Sequence, residues 1–462
     1  MDNIKSNTRA AIYLTGTGDG TARFPGLMQP ISGLPAVQHV LKSAQEATNQ
    51  SPFLFLHQKP DTLPENALPQ ENIVHIVDTG NLVELIHQGN EKLWESTDHL
   101  LFIPGDMPLI RAKTLEKLIE KHLETEKSHP AQVVITVANS RTAGTEDLTQ
   151  MTNAESDRIS NSQANAESSD DPWGVIEDEG SIYCIPFKWY GELFSKSPEA
   201  VLRDFQLASL VQFARSAELY ISGFQIPNRD ELLMITSQVE HAKAEAVMRS
   251  RTNLDLMRRG IAIIDPNSTF IDVQVEIGED TVIHPQTYLR GSTSIGSACE
   301  IGPNSLIQDT SIGDRCKITF SVTENAVLED DVDIGPFAHL RKGAHLARGV
   351  HMGNYGEVKN SYLGPGTKMG HFSYVGDATI GAGVNIGAGT ITANYDGSRK
   401  HSTEIGAGAF IGSDTMLVAP LKIGAGARTG AGSVVTKDVP PNSLAVGIPA
   451  RVIRKIEDNN GP

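Results

Sequence analysis

Residues 376–413, GDATIGAGVNIGAGTITANYDGSRKHSTEIGAGAFIGS, place an aliphatic residue directly before a glycine four times: Ile380-Gly381, Ile386-Gly387, Ile405-Gly406 and Ile411-Gly412. The first two pairs are six residues apart, as are the last two. The same pair recurs outward on both sides, at Ile277-Gly278, Ile295-Gly296, Ile301-Gly302, Ile312-Gly313, Ile334-Gly335, Leu363-Gly364 and Ile423-Gly424. Ile277 to Ile295 is eighteen residues, and so is Ile405 to Ile423. A period of six with multiples of eighteen describes three short strands per turn of a triangular prism. The aliphatic side chain points inward and stacks on its copy one coil away. The glycine after it serves a tight corner that disfavours a Cβ. This repeat, from about residue 259 to 455, is a left-handed parallel β-helix of hexapeptide type.

The rest of the chain has other textures. Its 462 residues are too many for one typical core, so two or three domains are expected. Residues 9–135 alternate apolar runs with helical patterns. Strands are expected at Ala10–Leu14 and Leu100–Ile103, and helices at Ala36–Ala47 and Lys113–Thr125. That alternation predicts a parallel sheet in an α/β domain. Residues 138–171, rich in Ser, Asn, Thr, Asp, Glu and Ala, read as a disordered insert, because they have too little apolar surface to offset ordering entropy. Order is expected to resume near Trp173, with a strand at Ser181–Pro186 and a helix at Val201–Ala214. A helical pattern over 231–258, stopped by Gly260, reads as the linker to the β-helix of residues 259–462.

Composition narrows the function classes. A formal net charge of −17 argues against nucleic acid and anionic membranes as partners. The three cysteines, Cys184, Cys299 and Cys316, lack metal-site or disulfide-framework spacing, which fits a reducing compartment. Met1 to Gly16 holds no secretory signal and no stretch is long and apolar enough to span a membrane, so a cytoplasmic protein is expected.

Chemistry is expected where the repeat carries side chains that a prism does not need. Between Ile334 and Ser413 these are Arg341, Lys359, His371, Tyr374, Asn385, Asn394, Tyr395 and Lys400, on successive coils. Acyl transfer from a thioester to an amine needs a base, and His suits near-neutral pH. Glu357, fourteen residues before His371, lies within reach of it across one coil and fits the role of the base's carboxylate partner. A glycine-flanked N–H such as that of Ala388 suits the oxyanion. Arg341, Lys359 and Lys400 suit a sugar phosphate. Singly, each residue reads equally well as solvated surface, and the NYDG run as a plain turn. Their co-occurrence on neighbouring coils is the signal.

The runs IGPFAHLRKGA (334–344), GNYGEVKN (353–360), GHFSYVGDATIGAGVNIGAGTITANYDG (370–397) and GSDTMLVAP (412–420) closely resemble one family in order and spacing. It is the bifunctional N-acetylglucosamine-1-phosphate uridylyltransferase / glucosamine-1-phosphate N-acetyltransferase family. The resemblance implies a homotrimer with acetyl-CoA as co-substrate between adjacent prisms, and an amino-sugar phosphate as acceptor. It implies His371 as general base with Glu357 as partner, and Arg341, Lys359, Tyr374 and Asn385 on the acceptor. Asn394 and Tyr395 would contact both substrates, with Lys400 nearby, and Ala388, Ser413 and Ala431 would line the CoA channel. The family has an Arg near position 448, where this chain has Ile448; Arg451 or Arg454 in GIPARVIRKI would replace it.

The front half resembles the family's α/β nucleotidyltransferase-like (Rossmann-like) domain in outline. The family's glycine-rich loop with its cations reads here as LTGTGDGTARF followed by Pro25-Gly26. Asp19 and Gly26 stand where the family has cations, and Arg23 is offset. The uracil-reading motif is replaced around Asp78–Glu84. Asp106 is kept as a vestigial metal position, with Thr236 or Ser237 in place of the second ligand, an Asn. The expected activity is therefore acetyl transfer beside a degenerate first domain, with magnesium needed only if uridylyl transfer is retained. The alternatives are a fully bifunctional enzyme, a hexapeptide acyltransferase for another amino sugar, and a non-catalytic trimeric scaffold.

Overall fold

The structure, a computed structural model, describes residues 8–13, 29–56, 73–75, 97–139, 182–189 and 209–456. The chain forms two compact units, residues 1–248 and 249–462.

Among the described residues the first unit is built on a seven-stranded sheet. Its strands are β1 (Thr8–Tyr13), β2 (Phe53–Leu56), β3 (Ile73–His75), β4 (His99–Pro104), β5 (Val134–Asn139), β6 (Ile182–Pro186) and β7 (Tyr220–Gln225), in spatial order β3-β2-β1-β4-β6-β5-β7. Helices α1 (Ala36–Thr48) and α2 (Ala112–Ser128) follow the predicted amphipathic patterns, burying Val37, Val40, Leu41 and Ala44 from one and Leu115, Leu118 and Ile119 from the other. Helix α3 spans Ser209–Ser216; the expected helix from Val201 lies outside the described residues up to 208.

The parallel pairing predicted over residues 9–135 holds for β1 to β4, and the later strand β6 makes the whole sheet mixed. Strand β6 runs antiparallel to both neighbours, with Leu101 opposite Cys184 and Thr136 opposite Cys184. Residues 182–185 are all buried, so the apolar pattern reports two covered faces and says nothing of direction. The expected insert begins later than predicted, since Ala138 and Asn139 belong to β5. The rest of it lies outside the described residues. So do the glycine-rich run with Asp19 and Arg23, Pro25-Gly26, the Asp78–Glu84 region and Trp173. The pattern that predicted a helix over 231–258 forms α4 at Gln238–Arg258, opened by the Ser237 hydroxyl, which accepts from Val239 N and donates to Glu240 Oε2, and followed by Gly260 at φ +93°. The division between the two units falls within this helix.

The second unit is the expected prism, with three sheets whose strands run parallel up to one antiparallel pair at the C-terminal end. Ile277 pairs with Ile295, Ile295 with Ile312, Ile312 with Leu328, and Leu328 with Leu346. The column continues through Leu363, Ile380, Ile405 and Ile423. Every member is buried. The step from Ile380 to Ile405 is longer than the others because residues 394–401 leave the coil as a loop.

The glycines after the aliphatic residues are required by close approach. A Cβ on Gly381 would lie 2.5 Å from the backbone nitrogen of Ala407 on the next coil, and one on Gly387 would lie 2.6 Å from that of Ser413. Gly381→Ala is therefore expected to lower stability by about 1–3 kcal/mol, the usual range for overpacking a core that cannot yield. Urea unfolding followed by circular dichroism measures it, and an unchanged midpoint would show that the coils can part at no cost.

Candidate active site

Strand register lines up the predicted site residues. On the face made of strands such as Gly356–Lys359 and Ser373–Gly376, the outward positions His339, Glu357, Tyr374, Ile391, Met416 and Val434 are consecutive partners. Three residues before four of these lie His371, Ala388, Ser413 and Ala431. Backbone bonds tie that corner together, from Gly389 N to Phe372 O at 2.7 Å, Asp414 N to Ala388 O at 2.6 Å, and Gly432 N to Ser413 O at 2.8 Å. The proposed base and the three proposed CoA-lining residues thus form one column. The His371 side chain is exposed and makes no hydrogen bond among the described residues.

The cations gather at the other edge of the same face. Arg341 N bonds Val358 O, which places Arg341 beside Lys359 on the next coil, and Lys359 pairs with Gly376. Lys400 first, and Arg341 second, hold the Lys359 ammonium below its ordinary pKa. Like charges crowded this way favour an anionic ligand that relieves the repulsion. Two carboxylates offset part of the charge: Glu357 Oε1 accepts from Arg341 Nη1 at 2.8 Å, and Asp377 Oδ2 lies 3.9 Å from Lys400 Nζ.

Asp377 joins the candidate site, and the sequence reading missed it. Its Oδ1 accepts from Asn360 Nδ2 at 2.6 Å and its Oδ2 accepts from Asn394 Nδ2, so one carboxylate joins a coil, the root of the loop and Lys400. Its signal was present: it is the lone acid between His371 and Asn394. The NYDG loop is a built feature. Tyr395 bridges to Lys400, and Asp396 accepts from the N–H groups of Ser398 and Arg399, both at 2.8 Å. Those N–H groups, Arg399 first, together with the His401 ring at 2.6 Å, hold the Asp396 carboxyl well below the usual carboxylate range.

Two predicted neighbours are separated within the chain. Asn385 pairs with Lys368 and Phe410, which puts it on the adjoining face and not on that of Tyr374. The Glu357 carboxylate bonds Arg341, and no bond joins it to His371. His371 and the cations flank a four-residue strand, so the two ends of the face are roughly 10–13 Å apart at about 3.3 Å per residue. An exposed aromatic column also went unforeseen. Phe320, Phe337, Tyr355 and Phe372 stand two residues before Val322, His339, Glu357 and Tyr374, which are partners in register, and the Phe337 and Tyr355 rings stack at 5.3 Å.

At the C-terminal end, Ser443–Gly447 and Ala450–Lys455 form an antiparallel pair with Ile448 exposed between them. Arg451 stands opposite Val446, whose side chain abuts Gly430 beside Ala431. Arg454 stands opposite Leu444, in register with Arg428 on the adjoining face.

In the first unit, Asp106 is buried and its carbonyl accepts from Ile235 N at 3.0 Å, bringing 235–237 beside it. The Ser237 hydroxyl is taken by Glu240 and Val239 N in the helix cap. Among the described residues one carboxylate and a Thr stand there, a poor magnesium set that does not fit the ion.

A MobA-like NTP transferase domain model matches residues 22–209, and a bacterial transferase hexapeptide (six repeats) model matches 274–309. Similar proteins include the bifunctional protein GlmU of Carboxydothermus hydrogenoformans, 40% identical over 76% of this chain and 77% of that protein. That of Thermotoga petrophila is 36% identical over 97% of this chain and 98% of its own length. That of Streptococcus agalactiae serotype V is 32% identical over 96% of both.

Proposed function

This chain belongs to the family of bifunctional GlmU proteins, and on that premise we propose how its prism works and what its first unit no longer does. The enzyme transfers the acetyl group of acetyl-CoA to the amino group of glucosamine 1-phosphate. The product is N-acetylglucosamine 1-phosphate, the precursor of UDP-N-acetylglucosamine for cell-envelope synthesis. The observation that carries the assignment of roles is the arrangement of one face, with a cation cluster at one edge and the His371–Ala388–Ser413–Ala431 column at the other.

In this reading Arg341, Lys359 and Lys400 hold the phosphate, and Tyr374, Asn385 and Asn394 orient the sugar. His371 removes a proton from the sugar ammonium. The freed amine attacks the thioester carbonyl, forming the C–N bond, and the oxyanion takes the N–H of Ala388, which donates no bond among the described residues. Collapse breaks the C–S bond as the nitrogen gives its second proton to water, and the leaving sulfur takes a proton from the His371 imidazolium. Glu357, bonded to Arg341, acts through the cation cluster rather than on that imidazolium. The CoA lies along the corner column past Ser413 and Ala431, with Tyr395 against it. The separation of Asn385 from Tyr374 and the exposed aromatic column support a homotrimer in which neighbouring prisms complete each site. No described helix is long and apolar enough to cross a membrane, and we place the enzyme in the cytoplasm.

An assay of purified protein with acetyl-CoA and glucosamine 1-phosphate tests the reading. Thiol release that needs the amino sugar supports it, and release with another amino sugar only would replace the acceptor. Because Arg451 stands nearer the column than Arg454, Arg451→Ala is expected to raise the KM for acetyl-CoA about tenfold, one charged contact being worth about 1.5–3 kcal/mol. The KM for the sugar should stay unchanged. Equal effects of Arg451→Ala and Arg454→Ala would show that neither is the specific CoA contact.

The match over nearly the whole length of bifunctional relatives favours a second reading, retention of uridylyl transfer. The poor metal set around Asp106 and the replaced loop cations weigh against it.

A further inference from the structure

Helix α2 packs on the sheet face from which Thr136, Cys184 and Ser222 project, these being in-register neighbours on β5, β6 and β7. His99, two residues before Leu101 on β4, shares that face. The helix begins its contact with Leu115, Leu118 and Ile119, then turns polar with His122, Thr125 and Glu126. Buried polar groups need partners, and one here has none. His122 is fully buried; its Nδ1 lies 3.0 Å from Thr136 Oγ1, and its Nε2 has no hydrogen-bond partner. Glu126 stands between the two histidines, with Oε2 2.9 Å from His99 Nε2 and Oε1 3.8 Å from His122 Nε2. The imidazole rings meet edge to face, with centroids 5.1 Å apart.

We propose that His99, His122 and Glu126 bind one divalent transition-metal ion of the zinc class, which staples α2 to β4. Two imidazole nitrogens and a carboxylate oxygen form a donor set of zinc type, with a fourth position left for water. Bonds of about 2.0–2.2 Å in a tetrahedron place ligand atoms roughly 3.3 Å apart. The three ligand atoms here all lie within 4.8 Å of one another, so small side-chain rotations close the site. The spacing of His122 and Glu126, one helical turn apart, puts both on the face toward His99. Thr136 acts as the outer partner that such sites use to fix a tautomer. By accepting Nδ1–H it leaves the Nε2 lone pair pointing at the ion. The Glu126 side chain is 29% exposed and the His99 side chain 13%, which provides an entry path. Magnesium and calcium are disfavoured by the two nitrogen donors. His99 opens β4 and Asp106 follows its far end, so the ion braces the sheet away from the vestigial nucleotide site.

The test uses the full-length protein, stripped with a chelator and titrated with Co²⁺ and then Zn²⁺. One Co²⁺ per chain with visible bands of a low-coordinate ion, displaced by one Zn²⁺ and accompanied by a raised Tm, is the expected result. His99→Ala and Glu126→Gln should each weaken binding at least tenfold and abolish the metal-dependent rise in Tm, with acetyl transfer unchanged. If neither variant folds, X-ray absorption on the zinc-loaded wild type decides, with two imidazole ligands expected. Absence of stoichiometric binding, a zinc shell without two imidazoles, or unaltered affinity in folded variants would each overturn the site.

Discussion

Replacing His371 with Ala lowers acetyl transfer by about 10²-fold or more, within the 10²–10⁴-fold range that a positioned base contributes. The expectation rests on its place at the head of the column that continues through Ala388, Ser413 and Ala431, one face-width from the cation cluster. His371 is exposed and unbonded among the described residues, so its loss removes no packing and the oligomer should stay intact. Two readouts separate chemistry from folding: steady-state thiol release, and sedimentation of the same preparation. The loss should fall mainly on kcat, because Arg341, Lys359 and Lys400 still bind the phosphate. A decrease of less than threefold would falsify the assignment of the base.

Uridylyl transfer should be undetectable with UTP, N-acetylglucosamine 1-phosphate and physiological magnesium. Transfer at a triphosphate is catalysed mainly by positioning and charge neutralisation. The glycine-rich run offers Asp19 and Gly26 where the family resemblance read from the sequence implies cations. Losing two charged hydrogen bonds, at about 1.5–3 kcal/mol each, costs several kcal/mol before the repulsion of Asp19 is counted. Asp106 is left with a Thr beside it, while Ser237 is committed to the helix cap. Weak nucleotide binding through Gly16, Gly18 and Gly20 is compatible with this reading, so turnover decides. Pyrophosphate release that requires the sugar phosphate and vanishes in Asp106→Ala would establish the bifunctional alternative.

Part of the site was legible because a β-helix is nearly a one-dimensional object. Coils repeat by translation, so residues at matching phase stack, but the loop at 394–401 breaks the count, and it is the strand register that puts His371, Ala388, Ser413 and Ala431, the last two implied beforehand only by the family resemblance, on one corner. Phase does not tell which groups bond. The Glu357 carboxylate turns to Arg341, one coil back, because a guanidinium at 2.8 Å outcompetes a histidine at the far corner. Nor did phase reveal Asp377, whose role depends on Asn360, Asn394 and Lys400 converging from three places in the chain.

The sequence by itself determined the prism, its hexapeptide period and the order of its polar residues. Each inward Ile sits beside its own copy one coil away, and local register leaves no other arrangement. The amphipathic helices α1 and α2 were equally written in their apolar spacing. Only the tertiary structure decided that β6 runs antiparallel, since a strand buried on both faces shows the same apolar run in either direction. It alone decided that the repeat glycines answer to backbone packed 2.5 Å from where a Cβ would be. It alone brought His99 to His122 and Glu126, because a strand and the helix that follows it meet only when the sheet's face is covered.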